Sequence, residues 1–107
     1  MQLTNTNIIQ YINNLDEVFG MGCKLPGRVG YTMRQNRKKL MEDYSNYEKE
    51  FAQIEYAKDS KQWNIEVQEL LKGESEVNIA KINPELIMDY DVDPRIFELL
   101  GFMLDEK

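Results

Sequence analysis

Apolar positions recur at helical spacing along most of this chain. In "TNTNIIQYINNLDEVF" the residues Ile8, Ile9, Tyr11, Ile12, Leu15, Val18 and Phe19 fall at i, i+3, i+4 and i+7. That spacing places them on one face and predicts an amphipathic helix over about 6–19. Asn5 or Thr6 is expected to cap its start, and "GMGC" to end it, because glycine adopts the left-handed conformation favoured at helix C-termini.

Pro26 suits the first turn of a second helix, where a missing N–H costs nothing. Val29, Met33, Asn36, Leu40, Tyr44, Tyr47, Phe51 and Ile54 then follow in steps of three and four. This near-heptad stripe predicts one long helix over about 26–58. Asn36 is the single polar member, read either as a locally bonded, partly exposed side chain or as a buried amide that fixes register. Ser60 then caps a shorter helix over about 61–72, bearing Trp63, Val67, Leu70 and Leu71 and folding back antiparallel.

After Gly73 the pattern changes period. "EVNIAKI" alternates, predicting an extended or β segment over about 76–82 that must pair or pack elsewhere. "NPEL" and "DPRIFELLGFML" each place a cap, Asn83 or Asp93, before a proline at the first helical position. The second opens a closing helix over about 94–104, apolar nearly all round. The fold class expected is mainly α. A single domain spans 1–107, with a long helical hairpin, an N-terminal helix, a short extended segment and a C-terminal helix.

Charge changes the picture because it is segregated. The formal net charge is −6. Yet residues 18–41 hold six bases (Lys24, Arg28, Arg34, Arg37, Lys38, Lys39) and no acid, whereas residues 74–107 hold nine acids and three bases. The expected balance for the basic block is the acidic segment Glu74–Glu106 of the same chain or of a dimer partner. An acidic protein is repelled by nucleic acid and anionic membranes at long range, and attracted to basic partners.

Chemistry-bearing patterns are few. There is no histidine and only one cysteine, so a Cys-His or Ser-His pair and a zinc site of Cys/His type are excluded. Cys23 is expected to be a reduced thiol of a cytoplasmic protein. "GMGCKL" has Leu25 where a dinucleotide loop needs its third glycine. Asp89, Asp91 and Asp93 imitate the start of a calcium loop, but Pro94 and Leu100 occupy the positions of the required glycine and glutamate. No catalytic residue, metal or cofactor is expected, and no run approaches the roughly 18 apolar residues of a membrane span.

Three groups remain as candidate partner-binding residues. Tyr31 with Arg34, Arg37 and Lys38 forms a basic face carrying an aromatic. Tyr56 and Trp63, near the stripe of Tyr44, Tyr47 and Phe51, are residue types that anchor protein interfaces, although core packing is the ordinary role of aromatics at this spacing. Asp89, Asp91 and Asp93 form an acidic turn.

"LPGRVGYTMRQNRKKL", a long charged helix, "EVQELLKGESEVNIAKI" and "DPRIFELLGFMLDE", in that order, resemble small proteins of phages and prophages of Gram-positive bacteria. The resemblance covers about residues 25–105, departing in a shortened hairpin near Lys58–Lys61 and in Gly27 and Gly30. It implies a phage origin, a host-cell cytoplasmic location and no enzymatic activity. The expected function is therefore inhibition of a host defence protein, an anti-CRISPR-like block of a nucleic-acid-binding effector. The alternatives are a virion-assembly accessory or chaperone and a small RNA-binding regulator. The expected partner is a host or phage protein, with a homodimer open and direct nucleic-acid binding disfavoured.

Overall fold

A computed structural model describes residues 1–88 and 90–105. The elements run β1 (Gln2–Thr4), α1 (Asn5–Gly20), α2 (Gly27–Ala52), α3 (Lys61–Lys72), β2 (Glu74–Glu76), α4 (Glu85–Met88) and α5 (Arg95–Leu99), followed by a 3-10 turn at Gly101–Met103. The fold is mainly helical, with one short antiparallel sheet in which Gln2, Leu3 and Thr4 face Glu76, Ser75 and Glu74.

The cap of α1 lies one residue earlier than expected. The Asn7 N–H donates to Thr4 Oγ1 at 3.1 Å, and Gly22, at φ 67°, supplies the left-handed exit. Asn5 and Thr6 are thereby free for another task. The Asn5 N–H donates to the Gly73 carbonyl at 2.9 Å, Asn5 Nδ2 to that of Leu70 at 2.7 Å, and Thr6 Oγ1 to that of Leu71 at 3.3 Å. These bonds satisfy carbonyls that the end of α3 would otherwise leave without partners.

The junction shows how the helices are arranged. Arg37 meets Asp16, while Ile9, Ile12, Met41 and Tyr44 line one hollow, so α1 runs antiparallel to α2. Phe51 meets Trp63, while Tyr47 and Leu70 line another hollow, so α3 is antiparallel to α2 as well. Consequently α3 and α1 follow one another along the same long helix, the C-terminus of one meeting the N-terminus of the other. Opposed partial charges at the two ends favour that meeting.

The core occupies one end of a molecule measuring 51 × 24 × 20 Å. Leu3, Ile8, Ile12, Leu15 and Val18 pack with Val29, Met33 and Leu40 of α2, and with Val77, Ile79, Ile82, Ile87, Ile96, Leu100 and Met103. All buried residues of α2 lie between Val29 and Leu40, and α3 buries none. Met41 and Tyr44 still pack against the core's edge; past them α2, and α3 up to its junction with α1, project beyond the core.

Three sequence-based expectations need correction. The second helix ends at Ala52 rather than near 58: past Phe51 its apolar stripe has no core to enter, and Gln53 to Ser60 form the reversal, with Asp59 at φ 65°. The extended segment alternates in burial only at Val77 and Ile79 and changes phase before Ile82, also buried; the strand is at Glu74–Glu76, and its mate is the unforeseen β1. The closing helix breaks after Leu99 into the 3-10 turn, which buries Met103 and sets Leu104 beside Ile82 in an isolated parallel bridge. Both proline-led starts are capped as expected: Glu85 N–H donates to Asn83 Oδ1 at 3.0 Å and Arg95 N–H to Asp93 Oδ1 at 2.9 Å.

Candidate partner-binding surface

The structure distributes the candidate residues over three separate places. Tyr31, Arg34, Arg37 and Lys38 lie on the first half of α2, Tyr56 and Trp63 at the far tip of the hairpin, and Asp91 and Asp93 in the turn before α5. Asp89 lies outside the described residues.

On α2, Arg34, Arg37 and Lys38 share a shallow groove of about 550 Å³ with Met41, Glu42 and Ser45. Arg37 is committed to the fold. Its Nε and Nη2 donate to the two oxygens of Asp16 at 2.7 and 3.3 Å, a bidentate hold that raises the arginine pKa. Lys39 Nζ donates to the Asn78 carbonyl at 2.8 Å. Arg34 and Lys38 are exposed and form no ion pair among the described residues, and Tyr31 is 60% exposed beside them.

The expected balance of the basic block by the acidic segment Glu74–Glu106 is therefore corrected. Among the described residues the block's ion pair goes to Asp16 on α1, and Glu17 receives Arg95 at 3.9 Å. Antiparallel packing brings Asp16, near the end of α1, opposite Arg37. Among the described residues the hydrogen bond that a base of the block makes to the tail side, from Lys39 to Asn78, ends on a carbonyl, not a carboxylate.

At the acidic turn, Asp93 is occupied. Its oxygens accept from the Arg95 N–H and from the Arg95 guanidinium at 2.8 to 3.2 Å, and those hydrogen bonds hold the carboxyl below its ordinary pKa. No group of three or more His, Cys, Asp or Glu side chains among the described residues is arranged to hold a metal.

The hairpin carries a continuous aromatic rib. Tyr44 and Tyr47 stack with centroids 5.9 Å apart, Tyr47 and Phe51 follow at 6.0 Å, and Phe51 meets Trp63 edge-on at 5.7 Å. The rib starts against the core at Tyr44 and ends on Phe51, 37% exposed, and the half-buried Trp63; Tyr56, 52% exposed, lies past it. Burial, and then Tyr44, raise the Tyr47 pKa; burial, and then Glu42, raise that of Asp43.

Beyond the rib, Ile54 and Tyr56 line a cleft of about 490 Å³ with Glu50, Gln53, Glu55 and Glu66. The chain matches no family model, no curated protein and no solved structure. At the hairpin tip large apolar side chains, a concave surface and carboxylates that form no ion pair among the described residues coincide. Sequence reading found Tyr56 and Trp63 but missed Ile54, Glu50, Glu55 and Glu66. Their grouping depends on where α2 ends, and the long-helix expectation spread Glu50 to Tyr56 around a regular helix instead of folding them over α3.

Proposed function

We propose that this chain is a non-enzymatic interaction protein that docks on another protein through its projecting hairpin. The observation that carries this reading is the segregation of burial. Leu40 is the last buried residue of α2, yet the helix continues for three more turns with Tyr44, Tyr47 and Phe51, and α3 sets Trp63 on that extension and contributes no residue to the core. A hairpin that adds little to the core while exposing aromatics is suited to supplying the anchors of an interface.

Within that reading, the resemblance to phage proteins supports a phage-encoded inhibitor of a host defence effector that handles nucleic acid. Such an effector has a basic channel, and an acidic protein is attracted to it. Affinity capture from nuclease-treated host lysate tests this: the account expects recovery of a nucleic-acid-binding host protein whose activity falls on addition of the chain. Recovery of virion proteins alone would move the function to assembly.

One observation favours a second reading. Tyr31, Arg34 and Lys38 are solvent-facing and form no ion pair among the described residues, which suits an RNA-binding regulator. Retention of capture after nuclease treatment counts against it, because RNA would bridge the partners only while intact.

A further inference from the structure

The hairpin tip has a composition that selects one class of partner. Ile54 and Tyr56 give its cleft an apolar lining, Phe51 and Trp63 extend the apolar surface next to it, and Glu50, Glu55 and Glu66 rim it. Among the described residues no base lines the cleft, and all three rim carboxylates are exposed. We infer that this cleft docks a basic segment of a partner protein, a helix or loop presenting lysine or arginine side chains. The inference rests on the reading that the chain works by binding a protein, and names the surface and the chemistry.

Lysine and arginine bury their methylene stems on apolar surface while keeping the charged head in water. Ile54 and Tyr56 receive the stems, the tyrosine ring adds a cation–π face, and the rim carboxylates receive the heads. Exposed ion pairs are individually weak, so the apolar contact supplies most of the affinity and the carboxylates supply selection and steering. Three carboxylates around the cleft repel phosphate, which turns away nucleic acid.

A second copy of the chain would also offer a basic face, at Arg34 and Lys38. Two copies arranged antiparallel about a two-fold axis would make that contact twice, tip to basic face in each direction. That face also carries the exposed Glu42 in the same groove, so it presents mixed charge to the three rim carboxylates, whereas a lysine- or arginine-rich segment presents one sign.

The test is a nuclear magnetic resonance titration of the whole chain with a 16-residue amphipathic lysine–leucine peptide and with its glutamate–leucine counterpart. The basic peptide should shift amides at 50–56 and 63–66, with an affinity that falls as salt rises. Glu50→Gln with Glu66→Gln should weaken binding about three- to tenfold, as expected for two exposed pairs, and Tyr56→Ala should weaken it further. These side chains are solvent-facing, so the melting temperature should stay within about 2 °C, the shift expected of changes outside the core. Equal binding of the acidic peptide, shifts centred elsewhere, no binding, or concentration-dependent self-association abolished by the same substitutions would each overturn the inference. Affinity capture with the double variant separates it from the broader reading. A partner held equally by wild type and variant removes the tip as the surface; a partner captured by neither removes the interaction reading itself.

Discussion

The side chain of Asn36 pairs with the backbone of Ala80 as a neighbouring strand would. Ala80 N–H donates to Asn36 Oδ1 at 2.8 Å, and Asn36 Nδ2 donates to the Ala80 carbonyl at 2.9 Å and approaches Met103 Sδ at 3.6 Å. Asn36 is fully buried, and no buried side-chain polar atom among the described residues lacks a partner. The segment Val77–Ile82 buries Val77, Ile79 and Ile82 but has no strand ladder at Ala80. One amide on α2 takes that role and sets which residues face inward.

Replacing Asn36 should therefore cost more than its small side chain suggests. Asn36→Leu leaves the Ala80 N–H and carbonyl without their partner, at about 1–3 kcal/mol for each group left buried. Urea unfolding should show a loss of about 2–4 kcal/mol. A change below about 0.5 kcal/mol, the range of an ordinary surface substitution, would mean that the pair does not organise the segment.

The junction between α3 and α1 gives a local prediction. A Cβ at Gly73 would lie 3.2 Å from the Leu70 carbonyl oxygen and 3.4 Å from Asn5 Nδ2, inside the bonds that join the two helices. Asn5→Ala and Gly73→Ala should both accelerate hydrogen exchange in α3 while leaving amides around Met33 and Leu40 protected. Uniform acceleration across the chain would show that the hairpin and the core open as one unit.

Phe51 tests the projecting hairpin. A fully buried phenylalanine truncated to alanine costs about 3–5 kcal/mol. At 37% exposed and held by Tyr47 and Trp63, Phe51→Ala should cost about 1–2 kcal/mol. A loss near 4 kcal/mol, typical of a core position, would place that ring in a cooperative core and remove the reason to treat the tip as a docking element.

Much of this was legible in the sequence. The stripe Val29, Met33, Asn36, Leu40 is the buried face of α2, and the burial of Asn36 decides between its two readings. The caps at Ser60, Asn83 and Asp93 act as their residue types imply. What failed was pairing. β1 has three residues and no pattern of its own, so only the arrival of Glu74–Glu76 beside it creates the strand. The end of α2 was equally hidden, because periodicity continues to Ile54 while the core that rewards it stops at Leu40. Segment charge does not reveal the partner of Arg37, because antiparallel helix packing selects Asp16. The stacking of Tyr11 on Phe102 at 4.2 Å, 91 positions apart in sequence, was beyond any local signal.

Two surface charges give a pH prediction of definite sign. Bonds from Arg95 lower the Asp93 pKa from 3.8, so its ionised form is favoured by folding. That contribution is fully present above the unfolded value and fades as pH falls through the lowered folded value. Asp43 has the opposite sign: burial raises its pKa, so its ionisation opposes folding at neutral pH. Asp93→Asn should lower the melting temperature at pH 6 and converge on wild type as pH falls through the lowered folded value, whereas Asp43→Asn should be neutral or stabilising at pH 6. Convergence of Asp93→Asn at neutral pH instead would show that the cap matters and the ion pair does not.

The most direct test of the central claim is photo-crosslinking in living cells that express the chain, from an unnatural amino acid at position 56, with position 31 as the control. The account predicts a discrete protein adduct from position 56, lost when Glu50 and Glu66 are both changed to glutamine, and little adduct from position 31. Adducts from position 31 alone, to RNA and removed by ribonuclease, would contradict it and transfer the function to the basic face of α2.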